Sequence, residues 1–232
     1  MRIACISDIH GNIYALKKVL ENIDDNNIDQ IICLGDLTGY GPHPNEVVAL
    51  IRRRKILCLK GNYDASVADN EFTYIRDTSI NSFSLPWTSE ELRISHKYYL
   101  HSLPENLSLT FEDKKILFVH GSPRSINEYL KEDSLEAMEN MSELPYDILV
   151  CAHTHIPYVK EYGNKILIND GSVGKPKNGK PHSTYAIIDI KKNSDVKVEI
   201  KEVEYDVSKI IKDMEIKDFP YALINSIKSG VE

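Results

Sequence analysis

Short apolar runs, each ending in a residue with a nitrogen or oxygen donor, recur along the chain. "RIACIS" runs into Asp8 and His10, "QIICLG" into Asp36, and "ILCLKG" into Asn62. "KILFV" runs into His120, and "ILVCA" into His153 and His155. Such runs read as buried strands, although periodicity alone does not separate them from buried helix. Helical spacing follows the first two. Ile13, Leu16, Leu20 and Ile23 make an amphipathic stripe. Pro44, with Val47, Leu50 and Ile51 after it, predicts a helix with proline in its first turn. "RRRK" at 52–55 suits that helix's C-terminal end, where cations complement the dipole. Strand–helix–strand–helix–strand over the front third predicts a parallel sheet.

Further on, "LSLTFEDKKILFV" predicts a hairpin turning around Glu112–Lys115. "ILIND", "TYAIIDI" and "VKVEIKEV" are additional strands, enough for a second sheet packed on the first, and a short helix near "PYALINSIKS" closes the chain. In "TSEELRISHKYYLHSL", Thr88 and Glu91 have capping-box spacing and predict a helix starting there. His96 and His101 inside it read as surface or packing residues. With no internal repeat, low-complexity tract or linker, a single domain over 1–232 is expected, of the α+β class.

Composition narrows the partners. The 232 residues are 42% hydrophobic and 27% charged, as in an ordinary globular protein. A formal charge of −7 without a long basic run argues against general nucleic-acid binding. No apolar run approaches the roughly 18–20 residues of a membrane span, and "MRIACISDIH" lacks a secretory core. No membrane partner and a cytoplasmic location are therefore expected. Cys5, Cys33, Cys58 and Cys151 lie apart inside apolar runs and read as buried free thiols.

In parallel sheets ligands bind at the carboxyl ends of strands, where this chain places two aspartates, one asparagine and four histidines. Two residues at i and i+2 on extended backbone point the same way, so His153 and His155 could converge on one object. Imidazole, carboxylate and amide oxygen without thiolate suit manganese first, with iron, zinc or nickel as alternatives. Seven donors are too many for one tetrahedral ion and suit two five- or six-coordinate ions sharing ligands. Two ions about 3.5–4 Å apart are a device for phosphoester hydrolysis.

At this point "DIHGN", "GDLTGYGPHP", "GNYD", "HGSP" and "AHTH" resemble, in order, the motifs of the calcineurin-like metallophosphoesterases, and "INDGSVGKP" resembles a segment of their bacterial and archaeal phosphodiesterase-like branch. The resemblance implies a four-layer α/β/β/α sandwich with two mixed sheets and the metal site at strand C-terminal ends. It places Asp8, His10 and His155 on one ion and Asn62, His120 and His153 on the other, with Asp36 bridging. Asp8 or Asn62 taken singly would also serve as helix or turn caps. His120 is expected to have a backbone carbonyl or carboxylate behind it, fixing its tautomer.

One position departs from the family. Tyr63 stands where most members carry the histidine that protonates the leaving group, with Asp64 as its orienting acid. Asp36, Asn62 and Asp64 are thus the candidate catalytic residues. A tyrosine with pKa near 10 is a poor acid at neutral pH. Arg124, His43 and His182 are candidate substrate-binding residues, with a surface ion pair or an exposed loop as the plainer alternative for each. Lys175, Lys177 and Lys180 in "GKPKNGKP" suit either a hairpin turn or a cationic lip. The implied activity is a dinuclear metal-dependent phosphoesterase, metal-bound hydroxide attacking a phosphodiester or activated phosphate in a small molecule or nucleotide. A phosphomonoesterase acting on phosphoproteins or nucleotides is the alternative. A non-catalytic binding module, as in the retromer subunit of this fold, is the rival class.

Overall fold

Alternation along β1 (Arg2–Ile6) sets the architecture of the computed structural model, which describes residues 1–70, 74–75, 78–192 and 194–231. Ile3 and Cys5 face one way, and Ala4 and Ile6 the other, all fully buried. A strand buried on both faces needs cover on both. β1 is the centre of a sheet ordered β10-β9-β1-β2-β3, formed with β2 (Gln30–Cys33), β3 (Leu57–Cys58), β9 (Ser183–Asp189) and β10 (Lys197–Val203). β1, β2 and β3 are parallel, while β9 runs antiparallel to β1. The second sheet is ordered β4-β5-β6-β8-β7, from β4 (Asn106–Phe111), β5 (Lys114–Val119), β6 (Ile148–Cys151), β7 (Tyr158–Tyr162) and β8 (Lys165–Asn169). β5, β6 and β8 are parallel, and an antiparallel strand lies at each edge.

The sheets meet face to face. Ile3, Cys5, Ile32 and Leu34 pack against Ile116, Phe118, Ile148 and Val150 in a shared apolar layer. The opposite face of the first sheet, through Ala4 and Ile6, packs on α1 (Ile13–Asp24), α2 (Pro44–Arg53), α7 (Val207–Ile216) and α8 (Tyr221–Ser229). The opposite face of the second, through Leu117 and Leu149, packs on α6 (Leu135–Glu143). The result is α/β/β/α with two mixed sheets, as the resemblance implies. The four cysteines are buried and unpaired. Among the described residues no helix is long and apolar enough to cross a membrane.

The Thr88–Glu91 capping box does not start a helix. Thr88 lies buried inside α4 (Ser79–Glu91), whose N-cap is Thr78, accepting from the Asn81 N–H. The chain breaks at Leu92 and Arg93, both extended, before α5 (Ile94–His101). Packing overrode the local signal: the first part of α4 buries Leu85 and Ser84. His96 is buried beside Asn45, and exposed His101 pairs with Asp69. β7, α6 and α7 were not anticipated from the sequence pattern.

Candidate metal centre

The turns after β1, β2 and β6 bring the donors together by leaving extended backbone at once. Asp8, His10, Asp36, His153 and His155 have φ of 49°, 47°, 54°, 66° and 60°. Each is an L residue in the left-handed region, at a cost of about 1–2 kcal/mol. Such strain persists only where the surroundings over-determine it. Here Ile9 and His10 N–H both donate to the Asp36 carbonyl, tying the first two turns together. On this left-handed backbone, in place of an extended i, i+2 spacing, His153 and His155 fall into different groups.

His155 groups with Asp8 and His10, and His153 with Asp36 and His120, all six buried. In the first group His155 Nε2 is 3.2 Å from Asp8 Oδ1 and 3.2 Å from His10 Nε2. Asp36 Oδ2 stands between the groups, 3.6 Å from His10 Nε2 and 3.5 Å from His120 Nε2. Asn62, the first residue of α3 (Asn62–Asp69), puts Oδ1 2.9 Å from His120 Nε2. All seven donors thus surround one place between the tips of both sheets.

Backbone carbonyls orient the imidazoles. Nδ1 of His10 lies 2.8 Å from the Thr38 carbonyl, that of His120 2.9 Å from Leu34, and that of His155 2.5 Å from Lys175. Donation from Nδ1 leaves each Nε2 lone pair aimed inward. Burial pushes His153 and His155 down to about 3 and 4, so both are neutral at pH 7. Burial raises the Asp36 carboxyl, but the imidazoles of His120 and His10 beside it together offset this and hold the group below its ordinary value.

Among the described residues seven buried side-chain atoms have no hydrogen-bond partner, and three of them belong to the donors: Asp8 Oδ1, Asp36 Oδ2 and His153 Nε2. Buried polar atoms are nearly always satisfied, and leaving one unpaired costs about 1–3 kcal/mol. All three are acceptors, and they belong to the two donor groups. Divalent cations would satisfy them together, so these residues fit a two-metal site.

A cleft of about 630 Å³ opens over the donors, lined among others by Asp36, Asn62, Tyr63, His153, His155 and Lys175. Tyr63 is buried in it, its hydroxyl donating to Asn81 Oδ1 (2.5 Å) and hydrogen-bonded to the Tyr40 hydroxyl. Burial, then Tyr40, pushes this phenol well above its ordinary pKa. Lys175 is only 2% exposed, its Nζ 4.8 Å from the centre of the Tyr40 ring. Lys175 and Lys177 both line the cleft, whereas Lys180 pairs with Glu202 outside it.

Four expected site residues stand elsewhere or act differently. Asp64 does not meet the Tyr63 side chain. Its carboxylate accepts from the N–H groups of Leu37, Thr38 and Gly61 and from the Thr38 hydroxyl, holding the turn behind Asp36. Burial raises it to about 6. His43 lies outside the cleft, 2.8 Å from Asp213, which also accepts from the Tyr14 hydroxyl. His182 pairs with Glu202, likewise outside. Arg124 is bound to Glu139 and Glu143 and lines a different cavity, one that His120 also lines. Each of these last three is paired with a carboxylate that does not line the cleft.

Sequence reasoning passed over Tyr40, Asn81, Tyr129 and Asp170. Tyr129 stacks on His153, centroids 4.1 Å apart. Asp170 receives the Ser7 hydroxyl at 2.6 Å, and Ser7 also contacts Asp8. Tyr40 and Asp170 lie inside quoted motifs and were within reach. Asn81 and Tyr129 carry no local signal.

A family model described as "Calcineurin-like phosphoesterase superfamily domain" matches residues 1–193. An uncharacterized protein of Methanocaldococcus jannaschii is 38% identical over 225 residues, covering 89% of each chain. The phosphodiesterase YfcE of Escherichia coli is 26% identical over 200 residues, covering 82% of this chain and 88% of its own. Among solved structures, a metallophosphoesterase from Sphaerobacter thermophilus superposes with a TM-score of 0.81 at 30% identity, covering 100% of this chain and 99% of its own. Zinc-complexed Vps29 from Entamoeba histolytica shares the fold at 20% identity and a TM-score of 0.52, covering 87% and 99%. Matched over most of its length, and with both donor groups at the strand tips, the chain belongs to the calcineurin-like phosphoesterase superfamily.

Proposed function

We propose that the protein is a two-metal phosphoesterase acting on phosphodiesters or activated phosphate esters. The observation that carries this reading is the set of three buried, unpartnered acceptors, Asp8 Oδ1, Asp36 Oδ2 and His153 Nε2. In this reading Asp8, His10 and His155 hold one ion, Asn62, His120 and His153 the other, and Asp36 serves both. The donor types suit manganese first, then iron, zinc or nickel. When bound, such a pair supplies Lewis acidity that activates water and offsets charge on the phosphoryl group.

The chain's own groups do the rest. The carbonyls of Thr38, Leu34 and Lys175 fix the imidazole tautomers, and Asp64 holds the turn that carries Asp36. Lys175 and Lys177 bring positive charge to the cleft that receives an anionic ester. Tyr63, at the position where the family motif carries its acid, is a phenol pushed further from neutrality. A leaving group that departs without protonation is therefore favoured, as in aryl esters and many diesters, over a simple alkyl monoester. The name of the Escherichia coli relative points the same way.

The test is turnover of bis(nitrophenyl) phosphate and nitrophenyl phosphate by protein loaded with manganese, iron, zinc or nickel in turn. Metal-dependent hydrolysis with the diester ahead is expected. A monoester preference would identify a phosphomonoesterase instead. No turnover of either ester at full metal occupancy would leave a binding module.

A further inference from the structure

A second cavity of about 360 Å³ adjoins the metal cleft, and Tyr129 and Lys177 belong to the walls of both. Its volume lies in the roughly 300–1,000 Å³ range of small-molecule sites. Its other walls are Ile156, Pro157 and Tyr158, with Lys131, Glu132 and Thr154 as the polar part of the lining. Ile156 follows His155 directly and is 47% exposed, a large aliphatic side chain held open beside the metal centre. Small-molecule sites are concave and lined mainly by apolar and aromatic side chains, with a few placed polar groups.

Tyr129 gives this cavity a flat, fixed wall. Its ring stacks on the His153 imidazole at an interplanar angle of 26°, so a residue of the metal centre sets its plane. Lys177 is anchored in turn, its N–H donating to the His155 carbonyl at 3.2 Å. The two shared residues are therefore tied to the two histidines of "AHTH", one to each donor group. A phosphoryl group over the donors would have its ester substituent next to Lys177 and the Tyr129 ring.

We propose that this second cavity holds the organic substituent of the substrate, and that the substituent is a flat, largely apolar ring: an aryl group or a nucleobase. The proposal rests on the phosphoesterase reading above and adds to it the class of the group esterified. Ile156 and Pro157 would cover one side of the ring, Tyr129 would stack against it, and Lys177 would sit at the junction with the phosphate. A small or strongly hydrated substituent would leave Ile156 wet and gain nothing there.

The experiment compares phenylphosphonate with methylphosphonate, whose C–P bonds no phosphoesterase cleaves and whose head groups are the same. Dissociation constants are measured by calorimetry on the full-length manganese-loaded protein, with turnover of bis(nitrophenyl) phosphate followed in parallel. Phenylphosphonate should bind on the order of tenfold tighter, the scale of one aromatic stacking contact with its apolar cover. In Ile156→Asp, and in the milder Ile156→Ser should the first fail to fold, the two constants should come within about twofold of each other. Equal constants in the wild type, or a phenyl preference that survives both substitutions, would overturn the proposal. If methylphosphonate binds and the diester is turned over in that case, the phosphoesterase reading stands while this one falls. If neither phosphonate binds and no ester is cleaved, both fall.

Discussion

Tyr63 occupies the position whose chemistry most shapes the substrate range. A general acid matters most when the departing alkoxide is basic, because the proton offsets the charge growing on that oxygen. Without one, rate should fall steeply as leaving-group pKa rises. Tyr63→His would put an imidazole beside Asn81, whose Oδ1 now accepts from the phenol and could hold the ring. Asp64 is committed to the backbone of Gly61, Leu37 and Thr38, so it would not serve. The variant should gain on alkyl esters, by up to the roughly 10²–10⁴-fold of general acid catalysis, and little on nitrophenyl esters. The measurement is kcat/KM for both ester types at full metal occupancy. A wild type that already treats the two alike would mean another acid is at work. At this scale all seven donors could be read from the sequence, because spacing and strand-end setting are local properties. The partners of His43, His182 and Arg124 could not, because each lies well away along the chain: Asp213 for His43, Glu202 for His182, Glu139 and Glu143 for Arg124.

The strand tips and the helices that leave them place those donors to within ångströms. β2 and β3 come so close beyond their ends that a Cβ on Gly35 would lie 2.4 Å from Gly61 N, and one on Gly61 2.0 Å from Asp36 Oδ1. Gly61→Ala should therefore displace Asp36, with an overpacking cost of about 1–3 kcal/mol and a weaker hold on metal. Gly163→Ala in the β7–β8 turn is the control. Its Cβ meets nothing within 4 Å, so that variant bears only the strain of φ +64°. Melting temperature and manganese titration of both would separate them. Equal metal affinity in the two would argue that Asp36 does not need this close approach. Elements with strong periodicity, such as α1 and the β4–β5 hairpin, were readable because their own side chains carry the pattern. α4 was not: Thr88 and Glu91 imitate a start signal in the last turn of a helix that begins at Ser79. β7 was missed because each face mixes apolar with charged residues, Lys160 between Tyr158 and Tyr162 on the covered face and Val159 with Glu161 on the exposed one.

On the scale of the whole molecule, the candidate centre joins the two sheets. Asp8, His10 and Asp36 come from turns after strands of the first sheet, and His120, His153 and His155 from strand ends of the second. Between the sheets lies the apolar layer of Ile3, Ile32, Phe118 and Val150, which holds them together whether or not metal is bound. Metal at the donors should add to that stability. Without it, Asp8 and Asp36 repel each other and three acceptors stay unpaired. Ions that bind the folded chain alone stabilise it by mass action, about 2.7 kcal/mol at a hundred times the dissociation constant. For a chain of 150–250 residues each kcal/mol raises Tm by about 2–4 °C. Manganese at that excess should therefore raise Tm by roughly 5–10 °C. Asp36→Asn should lose most of this rise and hold less than two ions by metal analysis, since its carboxylate alone stands between both donor groups. His96→Ala, distant from the centre beside Asn45, should keep the rise whatever its own stability. A melting curve unmoved by saturating manganese, or an Asp36→Asn protein that still binds two ions, would remove the bridging role from Asp36 and the metal from the join between the sheets.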